Sequence, residues 1–235
     1  MPLDETFSLT RVINLPERRD RYREMAAQLE AMGMPFAAGR VEVYAAERVQ
    51  DAAGFKSAAV RGCFLSHLNV LRDAQARGVE SVLVLEDDLE VASEDLARMD
   101  ALEAELLGRE WGIAYFGHFL PSAAEKGGAR WEELIGDLQT AHFYAVHRSV
   151  LGRLIEYLEQ CLVRPEGDPV GGPMEYDGAL SMFRRWNPDV VTLIAQPSLG
   201  GQRSSRSSIH ARRVESVPGV GAVLEMLRKA KRALK

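Results

Sequence analysis

Residues 81–90 (SVLVLEDDLE) constrain the fold more than any other stretch of the chain. Four apolar residues, 82–85, run without interruption into Glu86, Asp87 and Asp88. A short unbroken apolar run suits a strand buried on both faces. Strands of that kind belong to parallel α/β sheets, which place their ligands outside the carboxyl ends of the strands. Three adjacent carboxylates at such an end repel one another unless a cation or basic groups offset them. Clustered hard oxygen donors suit Mg2+ or Mn2+ rather than zinc. The same residues also read as a solvated acidic turn behind a core strand, so the flanking chain has to separate the two.

Strand-like and helix-like segments alternate along the whole length. Residues 10–15 predict a first strand, stopped by Pro16. Residues 19–32 predict a helix with Tyr22, Met25, Leu29 and Met32 on one stripe and Gly33 as its stop. A second strand is expected over 41–45, then a helix over 61–77 striped by Phe64, Leu68, Leu71 and Ala74. Beyond the acidic strand come a helix from an expected Ser93 cap to Leu107 and a strand at 111–116. Residues 121–136 read as a loop or flap, 140–146 as a strand, and the chain from an expected Ser149 cap to Cys161 as a helix. Three prolines and three glycines make 164–173 a loop, which delivers Met174-Glu175-Tyr176-Asp177 to a helix start. Residues 190–195 form the last expected strand. The alternation predicts an α/β fold with a mostly parallel central sheet and flanking helices.

Composition narrows the classes of function. With 235 residues, 46% hydrophobic and 27% charged, the chain suits an ordinary globular protein, expected as one domain over 1–210 and a basic helical tail over 211–235. Two cysteines, Cys63 and Cys161, stand in no structural zinc spacing and predict a reducing compartment. The first ten residues lack a signal-peptide pattern, and no apolar run nears the roughly 20 residues of a membrane span, so a cytoplasmic location is expected. The net charge of −5 is uneven: residues 201–235 hold nine Lys/Arg and two acids, which leaves an acidic body. Such a body offers no basic groove, so nucleic acid is not an expected partner. In the tail, Val220, Val223, Leu224, Leu227 and Leu234 fall near one helical face, and Arg228, Lys229, Lys231, Arg232 and Lys235 crowd its end. That pattern suits a plain terminal helix, its cations at the negative dipole end, or an interfacial helix in peripheral contact with an anionic membrane.

Several polar residues fall at element ends beside the acidic strand. Asn14 ends the first strand, and Arg18, Arg19 and Arg21 sit at a helix N-terminus, where the dipole favours anions. A bound anionic ligand would remove that conflict; a polar helix start describes the same residues. Ser66 and His67 lie in the first turns of the next helix, where a lone histidine is commonly a packing residue. His142 and Tyr144 share one strand face. Residues 202–208 gather four hydroxyls and two arginines, as a linker or a phosphate-gripping loop would.

Four of these stretches stand in the order of one family. They are Val12-Ile13-Asn14-Leu15 with Arg18 and Arg21; Gly62-Cys63-Phe64-Leu65-Ser66-His67; Val84-Leu85-Glu86-Asp87-Asp88; and His142-Phe143-Tyr144 before a helix. The chain resembles family 25 glycosyltransferases, the group of the lipooligosaccharide galactosyltransferases, over residues 11–209. The resemblance implies a GT-A-like nucleotide-diphospho-sugar transferase fold and an inverting, metal-dependent hexosyltransferase. It implies a UDP-sugar donor, often UDP-galactose, and a cell-surface glycan or glycolipid acceptor. Mn2+ or Mg2+ is then expected on Glu86, Asp87 and Asp88. The nucleotide pocket is expected from Asn14, Arg18, Arg21, Ser66, His67, His142 and Gln202. Inversion needs a base for the acceptor hydroxyl, expected as Asp177 with Glu175 as the alternative. Two other readings stay open: a metal-dependent phosphohydrolase or nuclease, and a nucleotide-sugar-binding protein without transfer activity.

Overall fold

The computed structural model describes residues 6–121 and 128–203. Its elements begin with β1 (Leu9–Asn14), α1 (Arg19–Ala31), β2 (Val41–Ala45), α2 (Ala58–Ala76), β3 (Ser81–Glu86), β4 (Leu89–Glu90) and α3 (Ser93–Leu106). They continue with β5 (Ile113–Tyr115), β6 (Arg130–Glu133), β7 (Phe143–His147), α4 (Arg148–Val163), α5 (Tyr176–Trp186), β8 (Thr192–Gln196) and β9 (Gly201–Gln202). Seven strands form one sheet in the order β2-β1-β3-β7-β5-β8-β6. Strands β2, β1, β3, β5 and β8 share one direction, and β7 and β6 oppose it. The fold is therefore α/β with a mostly parallel central sheet, as the alternation of segments predicts.

The two-sided burial of β3 follows from the strand period of two. Val82 and Val84 enter the layer built by α2, α4 and α5, with Phe64, Leu68, Leu71, Leu154, Leu158 and Leu180. Leu83 and Leu85 enter the opposite layer, with Met25 and Leu29 of α1 and Met99, Leu102 and Leu106 of α3. Each fully buried leucine or phenylalanine contributes about 1.5–3 kcal/mol, so helices on both faces hold the sheet. Strand β1 lies between β2 and β3, and the chain leaves it toward one side and returns on the other. Open α/β sheets bind their ligands outside the carboxyl ends at such a reversal, here the ends carrying Asn14 and Glu86.

Some local expectations are corrected. The segment read as a loop at 121–136 contains β6, which pairs with β8 alone at the sheet edge. Its sequence, Arg-Trp-Glu-Glu, buries only Trp131 and looks charged because one face and one edge meet water. Helix α2 starts earlier than expected, at Ala58, because the Ser57 hydroxyl accepts from the Val60 N–H at 3.2 Å. Ser93 and Ser149 lie inside their helices; the caps are Ala92, without a side-chain bond, and His147, whose ring accepts from the Ser149 N–H at 3.3 Å. A small second sheet pairs β4 with β9. The described residues fall in a unit that ends at Arg203, and the expected tail over 211–235 lies outside them. Among the described residues no helix is long and apolar enough to cross a membrane.

Candidate active site

The three acids after β3 divide into two roles. Asp87 turns toward β1 and α1, where the Asn14 amide donates to it at 2.7 Å and the Arg21 guanidinium at 2.6 Å. Arg21 also lies 3.3 Å from Asp88, and all three residues are buried. The arginine near the start of α1 thus meets carboxylates of the chain itself. Glu86 and Asp88, two residues apart, are joined by another group. The Gln202 amide donates to Glu86 Oε2 at 3.0 Å and reaches Asp88 Oδ1 at 3.4 Å. Gln202 arrives there because β9 pairs with β4, directly after the acids, and because the Arg203 N–H donates to the Asp88 carbonyl at 2.7 Å.

Charge is concentrated at this edge. Burial and then the Glu86 carboxylate push Asp88 up to about 6, partly opposed by Arg21. Burial alone would raise Glu86 too, but His67, His142 and Arg21 outweigh it and hold the carboxyl below its usual range. Burial raises Asp177, offset in part by the Gly178 N–H at 2.7 Å and reinforced by the charges of Glu175 and Glu86. Asp177 therefore feels the acidic motif, whereas Glu175 is exposed and pairs with Lys56 at 3.0 Å.

These residues fit a hard divalent cation. Glu86 and Asp88 repel one another across a gap bridged by the amide NH2 of Gln202. Turning that amide over would add a third oxygen to two carboxylates, a donor set suited to Mg2+ or Mn2+.

His67 closes the site from α2. Its Nε2 lies 3.3 Å from Glu86 Oε1 and its Nδ1 3.1 Å from the Tyr144 hydroxyl, which meets the Tyr176 hydroxyl at 2.8 Å. The imidazole stacks on Tyr176 with centroids 4.1 Å apart. Gly62 and Ser66, one turn apart on the same helix, hold the loop after β2. A Cβ at Gly62 would stand 2.6 Å from the Glu47 carbonyl oxygen. The Ser66 hydroxyl donates to the Gly62 carbonyl and accepts from the Glu47 N–H, both at 2.7 Å. Ser66 thus sits beneath the site rather than in it, with its hydroxyl engaged.

The remaining expected residues lie at varying distances from the acids. Arg18 pairs with Asp20 at 2.8 Å at the surface. His142 is fully buried; its Nε2 donates to the Gly200 carbonyl at 3.0 Å and its Nδ1 meets Thr140. Burial lowers its pKa, partly opposed by the bond to Gly200, and its ring stacks on the exposed Phe119 at 5.3 Å. Its part is to seat the backbone just before β9. Sequence reasoning missed Tyr176, which the helix start at 176 points inward, and Cys63. The spacing of Cys63 and His67, four apart on one helix, was the available signal for the latter.

No family model matches the chain. In backbone it is similar to a glycosyltransferase involved in the glycosylation of the major capsid of PBCV-1, with a TM-score of 0.46 and 12% identity, over 80% of this chain and 83% of that one. It is similar to A197 from STIV, with a TM-score of 0.43 and 11% identity, over 84% and 85%. It is also similar to a mannose-1-phosphate geranyltransferase from Thermus thermophilus, with a TM-score of 0.41 and 13% identity, over 83% and 75%. At this distance the chemistry has to be read from the chain's own residues.

Proposed function

We propose that the chain is a metal-dependent, inverting glycosyltransferase of the GT-A-like kind, moving a hexose from a nucleoside-diphosphate sugar to a hydroxyl of a cell-surface glycan or glycolipid precursor. The observation that carries the reading is the Glu86–Asp88 pair, bridged by Gln202 beside a third acid anchored by Asn14 and Arg21, at the strand ends where the sheet reverses. The family 25 resemblance of the same motifs favours UDP-galactose as donor. Glu86 and Asp88, with the Gln202 amide, would hold Mn2+ or Mg2+, which supplies charge stabilisation for a diphosphate leaving group. Asn14 and Arg21 fix the backbone of the acidic turn by holding Asp87. Asp177, raised by burial and close enough to sense Glu86, takes the acceptor proton.

The test is release of nucleoside diphosphate from a panel of UDP- and GDP-sugars with Mn2+, with and without candidate acceptors. Metal-dependent release from one donor is expected, and Asp88→Asn should abolish the Mn2+-dependent part of donor binding while circular dichroism stays unchanged. A phosphohydrolase would cleave the pyrophosphate to nucleoside monophosphate and sugar 1-phosphate without sugar transfer, and a binding protein would release no product. Unchanged nucleotide affinity in Asp88→Asn with Mn2+ present would sink the metal assignment.

A further inference from the structure

Cys63, His67 and Glu86 form a second set of metal-ligating groups that the transferase reading uses only in part. One ligand atom from each, a thiol sulfur, an imidazole nitrogen and a carboxylate oxygen, lie within 4.8 Å of one another. Cys63 and His67 are four residues apart on α2 and therefore share a face, which looks onto the end of β3. We propose that Cys63, His67 and Glu86 form a site for a thiophilic divalent cation such as Zn2+, distinct in donor set from the all-oxygen pair and sharing Glu86 with it.

Three observations support the site. First, three mixed S, N and O ligands with a fourth position left for water is a composition that zinc takes readily. Second, the His67 Nε2 to Glu86 Oε1 separation is 3.3 Å. A charge-assisted hydrogen bond is usually about 2.7–2.9 Å. The edge of a zinc tetrahedron with bonds near 2.0–2.2 Å is about 3.3 Å. Third, the outer partner of the histidine is in place. Nδ1 faces the Tyr144 hydroxyl, and either hydroxyl of the Tyr144–Tyr176 pair can be the donor, so the chain can accept a ring proton at Nδ1 and leave Nε2 free to ligate. On binding, the S–H bond of Cys63 breaks, a metal–sulfur bond forms and the proton leaves to solvent. Because Glu86 belongs to both sets, a soft ion here competes with Mn2+ on the acid pair. That consequence rests on the transferase reading; the site itself does not.

The experiment is a Co2+ titration of the reduced, full-length protein, followed by displacement with Zn2+. A thiolate-to-cobalt charge-transfer band is expected in wild type, in Cys161→Ser and in Asp88→Asn, and it should vanish in Cys63→Ser. Tyr144→Phe, which keeps all three ligands, should weaken Zn2+ roughly 10-fold or more. A band surviving in Cys63→Ser, or no band in wild type with a free Cys63 thiol, overturns the proposal. A band lost in Asp88→Asn overturns it too, since Asp88 is not among the three ligands. The readout is independent of catalysis, so an inactive but cobalt-binding protein would count against the transferase reading alone.

Discussion

Asp177 is where residue chemistry makes the sharpest claim. In its proposed role as general base it works only when deprotonated, and burial, with the nearby Glu175 and Glu86, moves this carboxyl above its ordinary value of 3.8. Turnover should therefore rise with pH through an apparent pKa above that value and level off beyond it. Asp177→Asn should lower turnover by roughly 10²-fold and remove this acid limb, while donor affinity measured by calorimetry stays near wild type. Full activity in that variant would move the role to Glu175 or elsewhere. The acidic cluster itself was legible in the sequence, because a buried strand running into three carboxylates has few explanations. Its internal division was not. Which acid is held by α1 and which by β9 depends on Arg21 and Gln202, 66 and 116 residues away from the acids they touch.

Two contacts between elements invite measurement. Arg21 of α1 and Asp87 after β3 form a buried pair at 2.6 Å. Removing one partner of such a pair leaves an uncompensated charge and costs about 3–5 kcal/mol. Arg21→Met should destabilise by about that much in urea unfolding, and adding Asp87→Asn should restore a large part of it. Additive effects in the double variant would mean the two groups do not couple. The second contact is the approach of α2 to the loop after β2. Gly62→Ala would place a methyl 2.6 Å from the Glu47 carbonyl oxygen, backbone that cannot swing aside. A loss of about 1–3 kcal/mol is expected by thermal unfolding, and an unchanged melting temperature would show that the loop yields freely. At this scale the strongly periodic helices were legible from their apolar stripes. Strand β6 was hidden because an edge strand with charges on its wet side lacks an apolar run, and the His147 cap was hidden because histidine is an uncommon choice there.

For the molecule as a whole, the alternating pattern was enough to reach the sheet class, since few architectures bury continuous strands between helices. The strand order was not legible: β7 inserts antiparallel between β3 and β5, a pairing decided by long-range packing. Whole-chain charge supports one more expectation, on residues outside the described ones. The basic, one-sided apolar pattern of residues 220–235 predicts that the intact protein sediments with anionic liposomes at low salt and is released at high salt. A chain ending at Val217 should remain in the supernatant in both. Identical partitioning of the two would remove the membrane contact from the account.

The pairing of β4 with β9 has a consequence for how the protein is made. Asp87 meets its partners from early in the chain, Asn14 and Arg21, but Gln202 reaches Glu86 across 116 residues of sequence. Closing so long a loop carries an entropic cost that the small two-residue ladder cannot offset until the rest of the sheet is in place. On a translating ribosome the acid pair therefore emerges well before its cap, and a nascent chain stalled short of Gln202 presents both carboxylates to solvent without it. The acid pair with its Gln202 cap is therefore complete only after synthesis has passed β9.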